Sequence, residues 1–125
     1  MQWVTEGKKV YIHCDRGCDR TGVFCAILEG ILGASADEIK SDLILSDTKG
    51  KGYRMSHPEA TANTYIQRYG KGHGTLQENF INNVASMYSV DKNLMYNFIK
   101  AANQNPGALS ARFGGRLVRL VRYSF

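Results

Sequence analysis

The stretch VYIHCDRGCDRTG, residues 10–22, constrains the chain more than any other. Val10–His13 reads as a short strand, because a continuous apolar run after the Gly7-Lys8-Lys9 turn suits a strand buried in a parallel sheet. Thr21–Leu32 reads as a helix that is apolar nearly all round, through Val23, Phe24, Cys25, Ile27, Leu28, Ile31 and Leu32, and such a helix belongs inside a core. Between the two, Cys14 and Arg20 are separated by five residues. That length wraps a chain into a half-ring whose backbone N–H groups converge on one anion and then lead into the positive end of the next helix. A cysteine at that focus faces several N–H dipoles and a guanidinium, the surroundings that lower a thiol pKa and make a thiolate nucleophile. Arg20 offers planar, two-pronged hydrogen bonding to two phosphate oxygens, a geometry that lysine does not reproduce.

His13, Cys14, the five residues that follow, and Arg20-Thr21-Gly22 resemble the signature of the cysteine-dependent protein tyrosine phosphatases. The Asp19-Arg20-Thr21-Gly22 ending is similar to the bacterial branch, which includes atypical tyrosine and phosphoinositide phosphatases. A bare Cys-x5-Arg is weak; here the strand, the helix and the His, Gly, Thr and Gly residues accompany it. The resemblance implies a phosphatase-like α/β fold, with a helix-rich C-terminal half and one central sheet strand leading into the phosphate-binding loop. It implies hydrolysis of a phosphate monoester through a phosphocysteine at Cys14. Asp15, Arg16, Gly17, Cys18, Asp19 and Arg20 then form the substrate-binding loop, with Gly17 where a conformation open to glycine is needed. Thr21 donates its hydroxyl to the Cys14 sulfur, and His13 braces the loop. The leaving group needs a proton from a carboxylic acid. In most of the family that acid lies upstream of the cysteine, where this chain offers only Glu6, so Asp19 is the candidate and Asp15 the second choice; Asp19 alternatively just bonds loop amides. The family also has several strands and further helices ahead of the signature, and little precedes it here. The chain is therefore expected to be the C-terminal half of a larger enzyme, or to be completed by another copy or chain. A catalytically impaired phosphate-binding module is the alternative function.

At 125 residues, with 43% hydrophobic and 22% charged residues, the chain is one ordinary globular domain at most. No run is apolar for long enough to cross a bilayer, and no signal-peptide pattern opens the chain. Three cysteines, two of them in one loop, argue against a disulfide framework and for a reducing compartment, by default the cytoplasm. Cys14 and Cys18 are too close in a tight loop for good disulfide geometry, and Cys25 belongs to the core. No paired metal-ligand spacing occurs, so no metal and no cofactor are expected. Of the net charge of +5, four units come from Arg112, Arg116, Arg119 and Arg122, which leaves +1 for residues 1–111. The global basicity therefore does not imply nucleic-acid binding. The expected partners are a phosphorylated protein or a phosphoinositide, without stable membrane insertion. Unfilled core surface on the apolar helix and lone strand predicts self-association.

The remaining chain reads as helices. Gln2–Glu6 is a last helical turn leading into Gly7, and Gly33 ends the central helix. Ser35 and Glu38 form a capping box for a second helix, to about Leu45. Residues 46–56 (SDTKGKGYRMS) read as a mobile loop, either solvated or bringing Lys49, Lys51, Tyr53 and Arg54 to an anionic substrate. Pro58 starts a helix with Ser56 and Glu59 at capping-box spacing, and Gly70–Gly74 is a linker. Thr75 and Glu78 open a further helix, and Asp91 caps the last, which frays near Asn103. Residues 1–105 are taken as the catalytic domain and 106–125 as a basic tail. The tail reads as a basic amphipathic helix, as a strand packed on the body, or as an inert extension.

Overall fold

The computed structural model describes residues 1–12, 20–49, 58–105, 108–113 and 116–119. In chain order these form α1 (Gln2–Thr5), β1 (Val10–Ile12), α2 (Arg20–Ile31), α3 (Ala36–Lys49), α4 (Pro58–Tyr69), α5 (Leu76–Tyr88), α6 (Lys92–Gln104), β2 (Leu109–Phe113) and β3 (Arg116–Arg119). The architecture is α/β and rich in helix, as expected.

Helix α2 is the axle of the body. Cys25 and Ile31 have no exposed surface, Ala26 and Leu28 are buried, and the helix packs against α3, α4, α5 and β2. Its one acid, Glu29, is buried as well. Gly33 follows with φ +96, a left-handed backbone that glycine adopts without strain, and the helix stops. The Ser35–Glu38 capping box forms in both directions: Ser35 N–H donates to Glu38 Oε2 at 2.8 Å, and Glu38 N–H donates to Ser35 Oγ at 3.2 Å. Thr75 Oγ1 accepts from Glu78 N–H at 3.2 Å, and Asp91 Oδ1 accepts from Asn93 N–H at 2.8 Å. Each of these caps gives orphan N–H groups a partner where the sequence places a helix start.

Helix α3 runs four residues past Leu45, so Ser46–Lys49 are helical and not loop. No Gly or Pro occurs between Ala36 and Lys49, so nothing in the sequence stops the helix at the end of its apolar stripe. Ser56 and the rest of 50–57 lie outside the described residues, so the Ser56–Glu59 box does too.

The expectation of one strand needs correction. Among the described residues the sheet has three strands in the order β1-β2-β3. β2 runs parallel to β1, with Val10 opposite Leu109 and Ile12 opposite Ala111. β3 returns antiparallel to β2, with Arg112 opposite Leu117. Both added strands come from the segment set apart as a tail. Of its three readings the strand is the one observed, and the amphipathic helix is not adopted over 116–119. The three-residue spacing of Arg116 and Arg119 looks helical, but pairing with β2 satisfies that backbone and overrides the local pattern.

The Gly70–Gly74 linker is held by two asparagines of α5. Asn79 Nδ2 donates to Gly70 O at 2.9 Å and to Gly74 O at 3.3 Å, and its Oδ1 accepts from Gly74 N–H at 3.1 Å. Asn83 Nδ2 donates to Tyr69 O and to Lys71 O, each at 2.8 Å. Asn79 is buried, so Asn79→Ala leaves linker groups without partners and is expected to lower stability by about 1–2 kcal/mol. Urea denaturation of the variant measures this. Beside the linker the Tyr69 and Tyr88 hydroxyls are 2.7 Å apart. That hydrogen bond, and then desolvation, raise the Tyr88 pKa above its ordinary 10.0. The neutral phenol is the form favoured in the folded chain, so the link contributes at neutral pH and is lost only as strongly alkaline solution ionises Tyr88.

Candidate active site

The signature stands between two fixed ends. β1 is pinned by its pairing to β2, and Val10 N–H donates to Ala108 O at 2.6 Å. Val10 and Ile12 are half-buried against the core, and Tyr11 is exposed. On the other side α2 begins at Arg20, with Thr21 second and a buried Gly22 third. The sequence motif demands a strand before and a helix after, and both are present. β1 and α2 thus flank the seven residues between them.

His13, Cys14, Asp15, Arg16, Gly17, Cys18 and Asp19 lie outside the described residues, as do the Arg20 and Thr21 side chains. Lys51, Tyr53 and Arg54 lie outside them too, and Lys49 is described only as the last residue of α3. Cys25, expected in the core, is fully buried there.

The electrostatics of the helix start are informative. α2 is twelve residues long and has no acidic residue in its first turn. The N–H groups of that turn carry partial positive charge, and the usual compensation is an Asp or Glu. Here the first residue is an arginine, a cation at the end of the dipole that disfavours cations. An anion ahead of α2, the Asp19 carboxylate that directly precedes it in sequence or a bound phosphate, would offset both.

One feature near these ends escapes a residue-by-residue reading. An open apolar groove of about 1040 Å³ starts beside Ile12 of β1 and Val23 and Phe24 of α2, and is closed by α1 and the α4–α6 side of the body. Its walls come from elements far apart in sequence, so no local pattern announces it. The one hint in the sequence is that Trp3 and Phe24 are large apolar residues beside the motif.

Among the described residues no helix is long and apolar enough to cross a membrane. No curated protein and no solved structure is significantly similar to the chain. The pattern of the tyrosine phosphatase family matches residues 1–113, from α1 through β2 and so into the segment set apart as a tail. With the strand and helix of the signature in place and nine-tenths of its length matched, the chain belongs to the tyrosine phosphatase family.

Proposed function

We propose that the chain is a cysteine-dependent phosphate-monoester hydrolase that acts on phosphotyrosine or a phosphoinositide. The observation that carries this is the family match over residues 1–113, which spans β1, the signature and the helix that opens with Arg20. The Cys14 thiolate attacks phosphorus, so an S–P bond forms as the P–O bond to the leaving group breaks. Asp19, as the acid, gives its proton to the departing oxygen. Water then attacks phosphorus and the S–P bond breaks. Asp19 takes the water's proton, and Thr21 donates a hydrogen bond to the sulfur as it leaves. Backbone N–H groups of Asp15–Arg20 and the Arg20 guanidinium hold the equatorial oxygens, over which transition-state charge is spread. Arg16, with Lys49, Lys51 and Arg54, favours a highly anionic substrate. Thiolate chemistry suits the reducing cytoplasm.

Hydrolysis of aryl phosphates of graded leaving-group basicity tests the scheme. Wild-type turnover with a weak dependence on leaving group is expected. Asp19→Asn is expected to lower kcat by about 10²–10⁴-fold for poor leaving groups and far less for good ones. A uniform loss across the series would remove the acid role from Asp19. No turnover by the wild-type chain, with vanadate still bound, would leave a phosphate-binding module.

A further inference from the structure

We propose that the face carrying the apolar groove docks on an anionic lipid surface, with Trp3, Phe24 and Tyr88 entering the interface and the cations around them meeting the headgroups. The docking residues lie outside residues 13–19, and the contact needs no turnover. Among the described residues no helix is long and apolar enough to cross a bilayer, so the contact is peripheral. Three observations select a lipid surface.

The first is which residues stand out of the face. Trp3, Phe24 and Tyr88 line the groove and are 63%, 50% and 55% exposed. Tryptophan and tyrosine favour the boundary between water and acyl chains, where an apolar ring and a polar N–H or hydroxyl are both satisfied. Behind them Leu28, Ile31 and Phe98 form part of a buried apolar wall.

The second is charge. Arg68 holds its guanidinium carbon 5.6 Å from the ring centroid of Tyr65, which lines the groove. The α-amino group of Met1 belongs to another lining residue. The exposed Lys8 and Lys9 follow α1 in a turn where Lys8 N–H donates to Trp3 O at 2.9 Å. Lys92 stands between the lining residues Val90 and Leu94. The acids adjoining these cations in the chain are Glu6, which pairs with Lys8 at 3.2 Å, and Asp91, which caps α6. Cations thus outnumber acids around an apolar centre, in a chain of net charge +5. That pattern attracts anionic headgroups and repels a second copy of itself.

The third is size. The exposed lining falls well below the roughly 800 Å² that each partner commits to a stable protein interface. Peripheral lipid contact asks less, because a few inserted aromatics act together with about fivefold in affinity for each cation near an anionic surface.

Vesicle binding by the 125-residue chain tests this. Cosedimentation with phosphatidylcholine vesicles containing about 30% phosphatidylserine is expected to be at least about tenfold stronger than with phosphatidylcholine alone, and to weaken as salt screens the headgroups. Trp3 is the only tryptophan, so its emission should shift to the blue on the anionic vesicles, a readout that needs no substitution. Trp3→Ala and Phe24→Ala are each expected to weaken partition about tenfold, and Lys9→Gln and Arg68→Gln about fivefold. Tyr96 is exposed on α6 without lining the groove, and Lys40 belongs to α3, which supplies none of its lining. Tyr96→Ala and Lys40→Gln should therefore leave partition within about twofold of the wild type. Circular dichroism checks that each variant is folded. Equal partition onto neutral and anionic vesicles, or none onto either, overturns the proposal. So does a loss from Lys40→Gln as large as that from Lys9→Gln, which marks net charge and not this face. A sedimenting mass of two chains with Trp3 emission indifferent to vesicles overturns it as well, and gives the face to a second copy. Each of these outcomes reads the same whether or not the chain hydrolyses a phosphate.

Discussion

Cys14→Ser is expected to abolish turnover of a small aryl phosphate, by at least about 10⁴-fold, while phosphate or vanadate still binds. The two halves of that outcome come from different parts of the signature. Nucleophilic attack needs the sulfur: a serine hydroxyl in the same place is almost wholly protonated at neutral pH, and no adjacent base is proposed to activate it. In the proposed scheme the anion is held by the N–H groups at the start of α2 and the Arg20 guanidinium, and exchanging sulfur for oxygen removes neither. Arg20→Ala should divide the properties the other way, weakening vanadate binding and lowering kcat/KM together by about 10²–10³-fold or more, the scale for losing one oxyanion donor. Alkylation supplies a check without substrate. An activated Cys14 is expected to react with iodoacetate well before the fully buried Cys25, and inorganic phosphate should protect it. A Cys14→Ser variant that keeps activity within tenfold of the wild type would show that sulfur is not the nucleophile.

That prediction rests on a motif legible in thirteen residues, and the reasons other features are less legible are physical. Helices announce themselves wherever a cap and a periodic apolar stripe coincide, as at Ser35, Thr75 and Asp91, because both signals are local. The end of α3 is misplaced by its sequence pattern because the stripe stops at Leu45 while the backbone bonding, which needs no apolar side chain, continues to Lys49. The sheet is the larger omission. β1 is completed by Leu109–Ala111, from the other end of the chain, and nothing near either segment encodes that partnership. In the site, the flanking elements are legible and present, since β1 and α2 follow from burial patterns on either side of the signature. The groove is not, because it arises where α1, β1, α2 and the later helices leave a gap among themselves. The asparagine clamp on the Gly70–Gly74 linker is equally hidden, as Asn79 and Asn83 look like ordinary polar positions until the linker folds back over them.

Phe80→Ala is expected to lower stability by about 3–5 kcal/mol, a large share of the roughly 5–15 kcal/mol that a domain of this kind commands. Phe80 is 1% exposed at the contact between α5 and α2, and its ring centroid lies 6.0 Å from that of Tyr69. Its other neighbour is backbone: a Cβ added at Gly30 of α2 would collide with the ring. A Cβ at Gly70 would stand 3.4 Å from Cε2 on another side, so the ring has little room to retreat. Gly30→Ala therefore sets two effects against each other. Alanine is the better helix former by about 1 kcal/mol, whereas forcing an atom into a packed contact costs about 1–3 kcal/mol and sometimes more. The clash should win in the wild type, for a net loss of about 1–2 kcal/mol. In the Phe80→Ala background the ring is gone and the methyl enters the space it left, so the same substitution should become neutral or stabilising. The change of sign separates close packing from a merely apolar contact, and urea midpoints of the two single variants and the double variant measure it. Equal losses from Gly30→Ala in both backgrounds would place its cost in the helix itself and not against Phe80.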